Sequence, residues 1–298
     1  MPDRPIELVV PYVQGGGSDQ RARLVARHLE THLGERIDVV NRTGAIVGHT
    51  AIANAPADGR TIGLITGEIG MMHWHEGLTA LTWRDYTPLA VPFVESAAVI
   101  VAANAPWRTV GEFLDACRTR RIRGSGGPNF SVWKFALAGL LDATGCDLAC
   151  LDWTETLSGE QGLANVLAGV ADVAPITMTD ARGPLRDGRA RALATMEDVR
   201  HSHFPDVPTV QEAIGVAWQV AHWRGIVAPS RLPDPVRDRY VEALQRVAAD
   251  EAFQAEAAAS AFTVRWRFGD EFARYMEQDD RQFGRVIALL PGETSCMH

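Results

Sequence analysis

Two short stretches carry the residue types from which an anion site is built. The first is Tyr12-Val13-Gln14-Gly15-Gly16-Gly17-Ser18-Asp19; the second is Gly124-Ser125-Gly126-Gly127-Pro128-Asn129-Phe130-Ser131. Glycines reach backbone angles closed to other residues. Hydroxyl, amide and carboxylate side chains cap helices by accepting from their free N–H groups. A helix starting behind such a loop aims unpaired backbone N–H groups and the positive end of its dipole at one spot, which favours a carboxylate or phosphate. A tight strand-to-helix turn with no ligand is the other reading of the same residues. The first stretch is not a phosphate loop, because no Gly-Lys-Ser/Thr follows its glycines. It is not a dinucleotide fingerprint either, since Gln20 stands where the last glycine belongs.

The flanking sequence supplies the elements that hold these loops. Ile6-Glu7-Leu8-Val9-Val10 reads as a buried strand halted by Pro11, which donates no ladder hydrogen bond. Val25, Leu29 and Leu33 recur every four residues behind the first loop, so a helix capped by Ser18 or Asp19 runs to Gly34. Further strands are expected at Arg36–Val40, Thr61–Thr66, Pro92–Ala103, Leu148–Trp153, Ala171–Ile176, Ala190–Thr195 and Trp218–Ala228. Helices are expected at His49–Ala55, Val110–Arg118 with Thr109 as cap, from Trp133 to Gly145, Gly159–Leu167, Pro233–Ala248, Glu251–Ser260 and Phe268–Leu290, before a frayed tail from Pro291. Alternating strands and helices favour a parallel α/β sheet. The two glycine loops lie about 110 residues apart, which suggests two similar units, and ligands of open α/β sheets sit beyond the carboxyl ends of the strands.

Composition narrows the function. The 298 residues suit one large or two medium domains, and the apolar share of 46% is ordinary for a globular chain. A net charge of −8 and a pI of about 5.6 argue against a broad nucleic-acid-binding face. No apolar run approaches the roughly 20 residues needed to span a bilayer, and Met1 to Pro5 has no charged-then-apolar leader, so the expectation is either a cytosolic protein or a mature form given a new Met. Cys146 and Cys150 are close enough for a local disulfide or remain two buried thiols; with Cys117 and Cys296 they make no zinc-ligand pattern.

Other candidates read as structural. The His-x-His pairs His73/His75 and His201/His203 lack a carboxylate cluster, so no metal is expected. Met71, Met72 and Trp74 either wall an apolar ligand end or pack in the core. Asp180 with Arg182 reaches a cleft or forms a surface ion pair, and Arg118, Arg120, Arg121 and Arg123 make a solvated edge. Ser125 and Ser131 have no Gly-x-Ser-x-Gly elbow and no spacing that ties them to a histidine, so a hydrolase is a weak alternative.

Taken in order, the motifs resemble one receptor family. Val10-Pro11-Tyr12 with Gly15, Gly16, Asp19 and Arg23, then Asn41-Arg42-Thr43-Gly44-Ala45, Pro56-Ala57-Asp58-Gly59-Arg60-Thr61, Asp85-Tyr86-Thr87-Pro88, Arg191-Ala192-Leu193-Ala194, Phe204-Pro205-Asp206-Val207-Pro208-Thr209 and Trp223-Arg224-Gly225 are similar to the substrate-binding (Bug) proteins of tripartite tricarboxylate transporters. The resemblance runs from Arg4 to about Val286. It implies a two-lobed type II periplasmic binding fold (a Venus flytrap), each lobe a mainly parallel sheet flanked by helices, with residues 1–98 and 222–298 in lobe one and 99–221 in lobe two. It implies a periplasmic monomer that has lost its leader at Met1, takes a small organic carboxylate without a cofactor, closes over it, and delivers it to membrane permease subunits. A receptor feeding a sensor kinase is the alternative. The expected ligand set is Tyr12, Val13, Gln14, Gly15, Gly16, Gly17, Ser18, Asp19, Thr66, Gly67, Ser125, Gly126, Gly127, Asn129, Phe130, Ser131, Trp153, Thr154 and Asp180. One stretch departs from the family: Leu151-Asp152-Trp153-Thr154-Glu155 stands where Pro-Tyr-Lys/Arg-Gly is usual. Either its two acids face the ligand and repel a second carboxylate, or they are solvated and irrelevant.

Overall fold

The computed structural model describes residues 4–74, 78–129, 131–260 and 262–290. Phe130, His75, Cys296 and the expected tail from Pro291 lie outside the described residues. In chain order the elements are β1 (Ile6–Val10), α1 (Gly17–Leu33), β2 (Ile37–Asn41), α2 (Ala45–Ala53), β3 (Thr61–Thr66), α3 (Ile69–Met72), β4 (Tyr86–Ala102), α4 (Val110–Cys117), β5 (Ile122–Ser125), α5 (Val132–Ala143) and β6 (Leu151–Thr154). They continue as α6 (Gly159–Leu167), β7 (Ala174–Thr177), α7 (Arg182–Arg186), β8 (Ala190–Thr195), α8 (Val210–Ile214), β9 (Ala221–Pro229), α9 (Asp234–Ala249), α10 (Glu251–Ala259), β10 (Val264–Phe268) and α11 (Gly269–Ile287). The chain divides into two compact units: residues up to Val94 with Trp223–Gln282, and Glu95–His222 with the residues from Phe283. The resemblance left all of 222–298 with the first unit. The residues from Phe283 instead group with the second, where the Phe283 ring meets Phe135 edge-on at 4.2 Å.

In the first unit β1 pairs in parallel with β2 (Ile6 opposite Ile37) and with β3 (Leu8 opposite Ile62). The rest of the sheet is antiparallel: β9 runs against β3, and β10 against the first half of β4. The sheet is therefore mixed, with the parallel strands where the glycine loop emerges. Its core joins Leu8, Val10, Val25, Leu29, Phe93, Leu244 and Phe253, so α1, α9 and α10 each bury their apolar stripe. Each such side chain, fully buried, contributes about 1.5–3 kcal/mol. Gly34 ends α1 with φ 69°, the left-handed cap its position requires.

Among the segments that differ from expectation, two in the first unit are instructive. α2 begins at Ala45 rather than His49, because Gly48 is not a helix breaker here. A Cβ on Gly48 would lie 2.5 Å from Pro11 Cα, so glycine is the residue that lets α2 press against the end of β1. β10 was missed, although Val264, Trp266 and Phe268 alternate with Arg265 and Arg267 in the period of a strand.

In the second unit β5 and β6 pair in parallel, Ile122 opposite Leu151, and the second half of β4 pairs antiparallel with β7 and β8. The strand expected from Leu148 opens instead as a 3-10 turn capped by Asp147, and β6 starts at Leu151. α5 is almost wholly buried. α6 sits so close to the second glycine loop that a Cβ on Gly162 would lie 2.5 Å from Gly126. Cys117, Cys146 and Cys150 are buried free thiols, so the 146–150 disulfide is not formed.

Candidate functional site

In the first unit, β1 delivers the chain to Pro11 and α1 receives it at Gly17. The N-cap is Gly16, and no side chain caps it. Ser18 and Asp19, expected as caps, lie inside the first turn instead. The reason is that Asp19 is drawn backwards into the protein: its Oδ2 accepts from Gly15 N at 2.7 Å and Arg23 Nε at 2.9 Å, and its Oδ1 from Asn41 Nδ2 at 2.9 Å. Asp19 is 1% exposed. Burial alone would raise its pKa, but the hydrogen bonds from Arg23, Gly15 and Asn41, with the Arg23 charge, hold it below the ordinary value. Asp19 thus braces the loop. Gly15 has φ 81°, an angle that requires glycine, and its carbonyl accepts from Gln20 Nε2 at 2.9 Å. Val13, Gln14, Gly15 and Gly17 are exposed, Gly16 is half-buried and Ser18 is buried.

The first-turn N–H groups of a helix have no acceptor within it. With Gly16 as an uncapped N-cap, those of Gly17, Ser18 and Asp19 carry the positive end of the α1 dipole. Behind the lip, Tyr12 Oη is hydrogen-bonded to Thr66 Oγ1 at 2.7 Å and donates to Glu68 Oε2 at 2.9 Å. Burial first, then the Glu68 charge, lifts the Tyr12 phenol well above its usual range. Burial likewise raises Glu68, against the Tyr12 bond and the Arg224 charge. Glu68 was missed in the sequence; its signal is its place two residues beyond β3. Arg224 stands opposite Thr66 in the β3–β9 ladder, and its Nε donates to Ser18 Oγ at 3.4 Å. Gly67 packs on the Trp223 indole, whose Nε1 donates to Asp279 Oδ2 at 2.7 Å. Burial, with the neighbouring Asp280 charge, pushes Asp279 up to about 8 despite that bond.

The second unit repeats the strand-loop-helix plan with a different outcome. Ser125, Gly126 and Gly127 are buried. Ser125 Oγ donates to Thr154 O at 3.0 Å and accepts from Asn165 Nδ2 at 3.1 Å, so it fastens β5 to β6. Ser131 Oγ caps α5 by accepting from Lys134 N at 3.4 Å. The half-buried Trp153 ring covers Gly124 and Gly126, and its Nε1 donates to Gly127 O at 3.2 Å. The exposed corner is Asn129, whose N–H donates to Glu155 Oε1 at 2.8 Å while its Oδ1 accepts from Nζ of Lys134, the chain's only lysine, at 3.0 Å. Thr154 and Glu155 are exposed. Asp180 is exposed beyond β7, with its N–H on Thr177 Oγ1 at 3.0 Å.

The remaining candidates resolve as packing. Met71 and Met72 are buried, and Trp74 Nε1 and His73 Nε2 both meet Asp280 Oδ1, at 3.2 and 2.9 Å. His201 is buried and its Nδ1 accepts from His203 N. Among the described residues no group of three or more His, Cys, Asp or Glu is placed to hold a metal ion. No helix of the described residues is long and apolar enough to cross a membrane.

Residues 21–290 match the family described as "Tripartite tricarboxylate transporter family receptor". The chain belongs to that family. A Pseudomonas sp. (strain P51) relative, the UPF0065 protein of the tcbD-tcbE intergenic region, is 30% identical over 268 residues, covering 85% of this chain and 77% of the relative. A solved TctC solute-binding protein from Polaromonas, without ligand, superposes with a TM-score of 0.88 at 27% identity, covering 97% of this chain and 99% of the other. Two structures from Rhodopseudomonas palustris share the fold. MatC with bound malate has a TM-score of 0.74 at 22% identity, covering 96% of this chain and 99% of the other. Rpa4515 with adipate has a TM-score of 0.77 at 20% identity, covering 97% of each chain. This TctC-family receptor is thus a substrate-binding protein with the two-lobed α/β architecture of its neighbours.

Proposed function

We propose that this TctC-family receptor is a periplasmic monomer that captures a small organic carboxylate at the α1 N-terminus and passes it to transporter permease subunits. The observation that carries this reading is the uncapped first turn of α1, whose N–H groups no side chain satisfies while Asp19 is held away by Gly15, Arg23 and Asn41. A carboxylate there gains charge-assisted hydrogen bonds and the helix dipole together. The malate and adipate held by two neighbours support an organic acid as the class of guest. The mechanism is binding without turnover: Ser125 is spent on Thr154 and Asn165, and Ser131 on capping α5. Nothing in either arrangement activates a hydroxyl.

A thermal-shift screen with a panel of organic acids tests this. A bound acid at 100 times its Kd stabilises the protein by about 2.7 kcal/mol, which reads as a raised Tm. Replacing Gly16 with valine puts a side chain against Val13 O, 3.2 Å from the Cβ position, and should remove the shift. A panel without any responding acid, or an unchanged shift in the valine variant, overturns the reading.

A further inference from the structure

We propose that Cys117 and Cys150 are a disulfide-forming pair, which a small disulfide oxidant converts to an intrachain bond tying the end of α4 to the start of β6. The proposal stands wholly inside the second unit and is independent of the guest the receptor carries.

Three of the chain's four cysteines meet in that unit as buried thiols. Cys117 is the last residue of α4, and Cys150 closes the 3-10 turn that leads into β6. Cys146 lies between α5 and that turn. Its Sγ donates to Leu114 O, one turn before Cys117, at 3.8 Å and accepts from Thr144 Oγ1 at 3.6 Å. The Cys146 thiol is thus engaged with the α4 backbone and its own turn. The Cys117 and Cys150 thiols instead hydrogen-bond each other. The short spacing of Cys146 and Cys150 marks them as the obvious pair in the sequence, but the fold sets Cys117 against Cys150. Side chains already in contact need only a local approach to close an S–S bond of about 2 Å. The bond would fasten the strand whose Trp153 ring covers Gly124 and Gly126 and whose Thr154 O accepts from Ser125.

The chemistry is two thiol–disulfide exchanges. Cys150 is 9% exposed and Cys117 3%, so Cys150 meets the oxidant first. Its thiolate attacks one sulfur of glutathione disulfide; that S–S bond breaks, a mixed disulfide forms and one glutathione leaves as thiolate. The Cys117 thiolate then attacks Cys150 Sγ and displaces the second glutathione. Two electrons pass from the cysteine sulfurs to glutathione, and the two cysteine protons end on the two glutathione thiolates. Burial, with the charge of the neighbouring thiols, raises the pKa of both cysteines, so neither is a ready thiolate at neutral pH. The exchange therefore runs through local opening, on the order of hours. An oxidising compartment, such as the periplasm proposed for this receptor, keeps the bond once it is made.

Peptide mapping of the full chain tests the proposal. The reduced protein is treated with glutathione disulfide in two arms, once folded and once during refolding from denaturant. Remaining thiols are then alkylated in denaturant. A protease that cuts after arginine and lysine releases Cys117 in residues 109–118, Cys146 and Cys150 together in residues 135–182, and Cys296 in residues 286–298. The expected result is a monomer in which peptide 109–118 is joined to peptide 135–182, and dithiothreitol separates the two. Cys150→Ala is expected to abolish the link, whereas Cys146→Ala and Cys296→Ala keep it. Free peptide 109–118 in both arms overturns the proposal, whether its cysteine is alkylated or carries glutathione. So does a link between chains, a link from peptide 109–118 to peptide 286–298, a link that survives Cys150→Ala, or one that Cys146→Ala removes.

Discussion

Replacing Asp279 with asparagine keeps an oxygen for Trp223 Nε1 and removes an ionisable group from the interior of the first unit. Asp279 is 9% exposed, and its carboxyl is pushed from an ordinary 3.8 to about 8 by burial and by the charge of Asp280, which His73 and Trp74 hold in place. An acid with a raised folded pKa keeps its proton while the unfolded chain loses it. Its contribution to stability is therefore complete below about pH 4 and drains away as the pH climbs toward about 8. About four pH units at ~1.4 kcal/mol each set a ceiling of about 6 kcal/mol. Local rearrangement and water at the carboxyl reduce this to about 2–4 kcal/mol. At about 2–4 °C per kcal/mol for a body of this size, Asp279→Asn should melt about 5–15 °C above the unsubstituted protein at pH 8, and the two should converge near pH 4. Melting curves of both proteins from pH 4 to 9 read the gap directly. A gap that is constant across pH, or that widens toward acid, refutes the buried-acid account.

Two further outcomes follow from the loop geometry. Asp19→Ala strands Gly15 N, Arg23 and Asn41 and should cost about 2–4 kcal/mol in denaturant unfolding. It should also weaken acid binding. Because the folded pKa of Asp19 lies below 3.8, the stability it supplies is present above that pH and lost as the pH falls through the folded value, so the variant should lose part of the acid limb of the stability profile. Gly48→Ala forces a Cβ to within 2.5 Å of Pro11 and should cost about 2–3 kcal/mol, whereas Gly183→Ala, with nothing within 4 Å, should change stability by less than about 0.5 kcal/mol.

The sequence revealed the strands best where apolar runs end in unambiguous punctuation. β1, β3, β8 and α6 fall where the pattern placed them, because Pro11, Asp58-Gly59 and Gly169 mark changes of backbone direction. Gly48 misled because a glycine needed for close approach looks the same as one that stops a helix. Only the third dimension shows Pro11 against it. The sheet's antiparallel members were hidden because β9 and β10 return to β3 and β4 from far along the chain. Both glycine loops were legible as strand-to-helix turns, but the partners of their polar side chains were not. Asp19 and Ser125 carry ligand-ready groups, and both spend them inside the protein on Gly15, Arg23, Asn41 and Thr154. Glu68 lay outside the recognised motifs, yet it shares Tyr12 with Thr66.

The lone Lys134 has a practical corollary. A protease that cuts only after lysine has a single target bond in the chain, Lys134–Phe135, in the first turn of α5 beside a Phe135 that is 3% exposed. A native helix cannot enter a protease cleft, so scission there waits for α5 to unwind locally. The rate at which the chain splits into two fragments therefore reports the fraction of time that the helix beside the corner held by Glu155 and Asn129 is unwound.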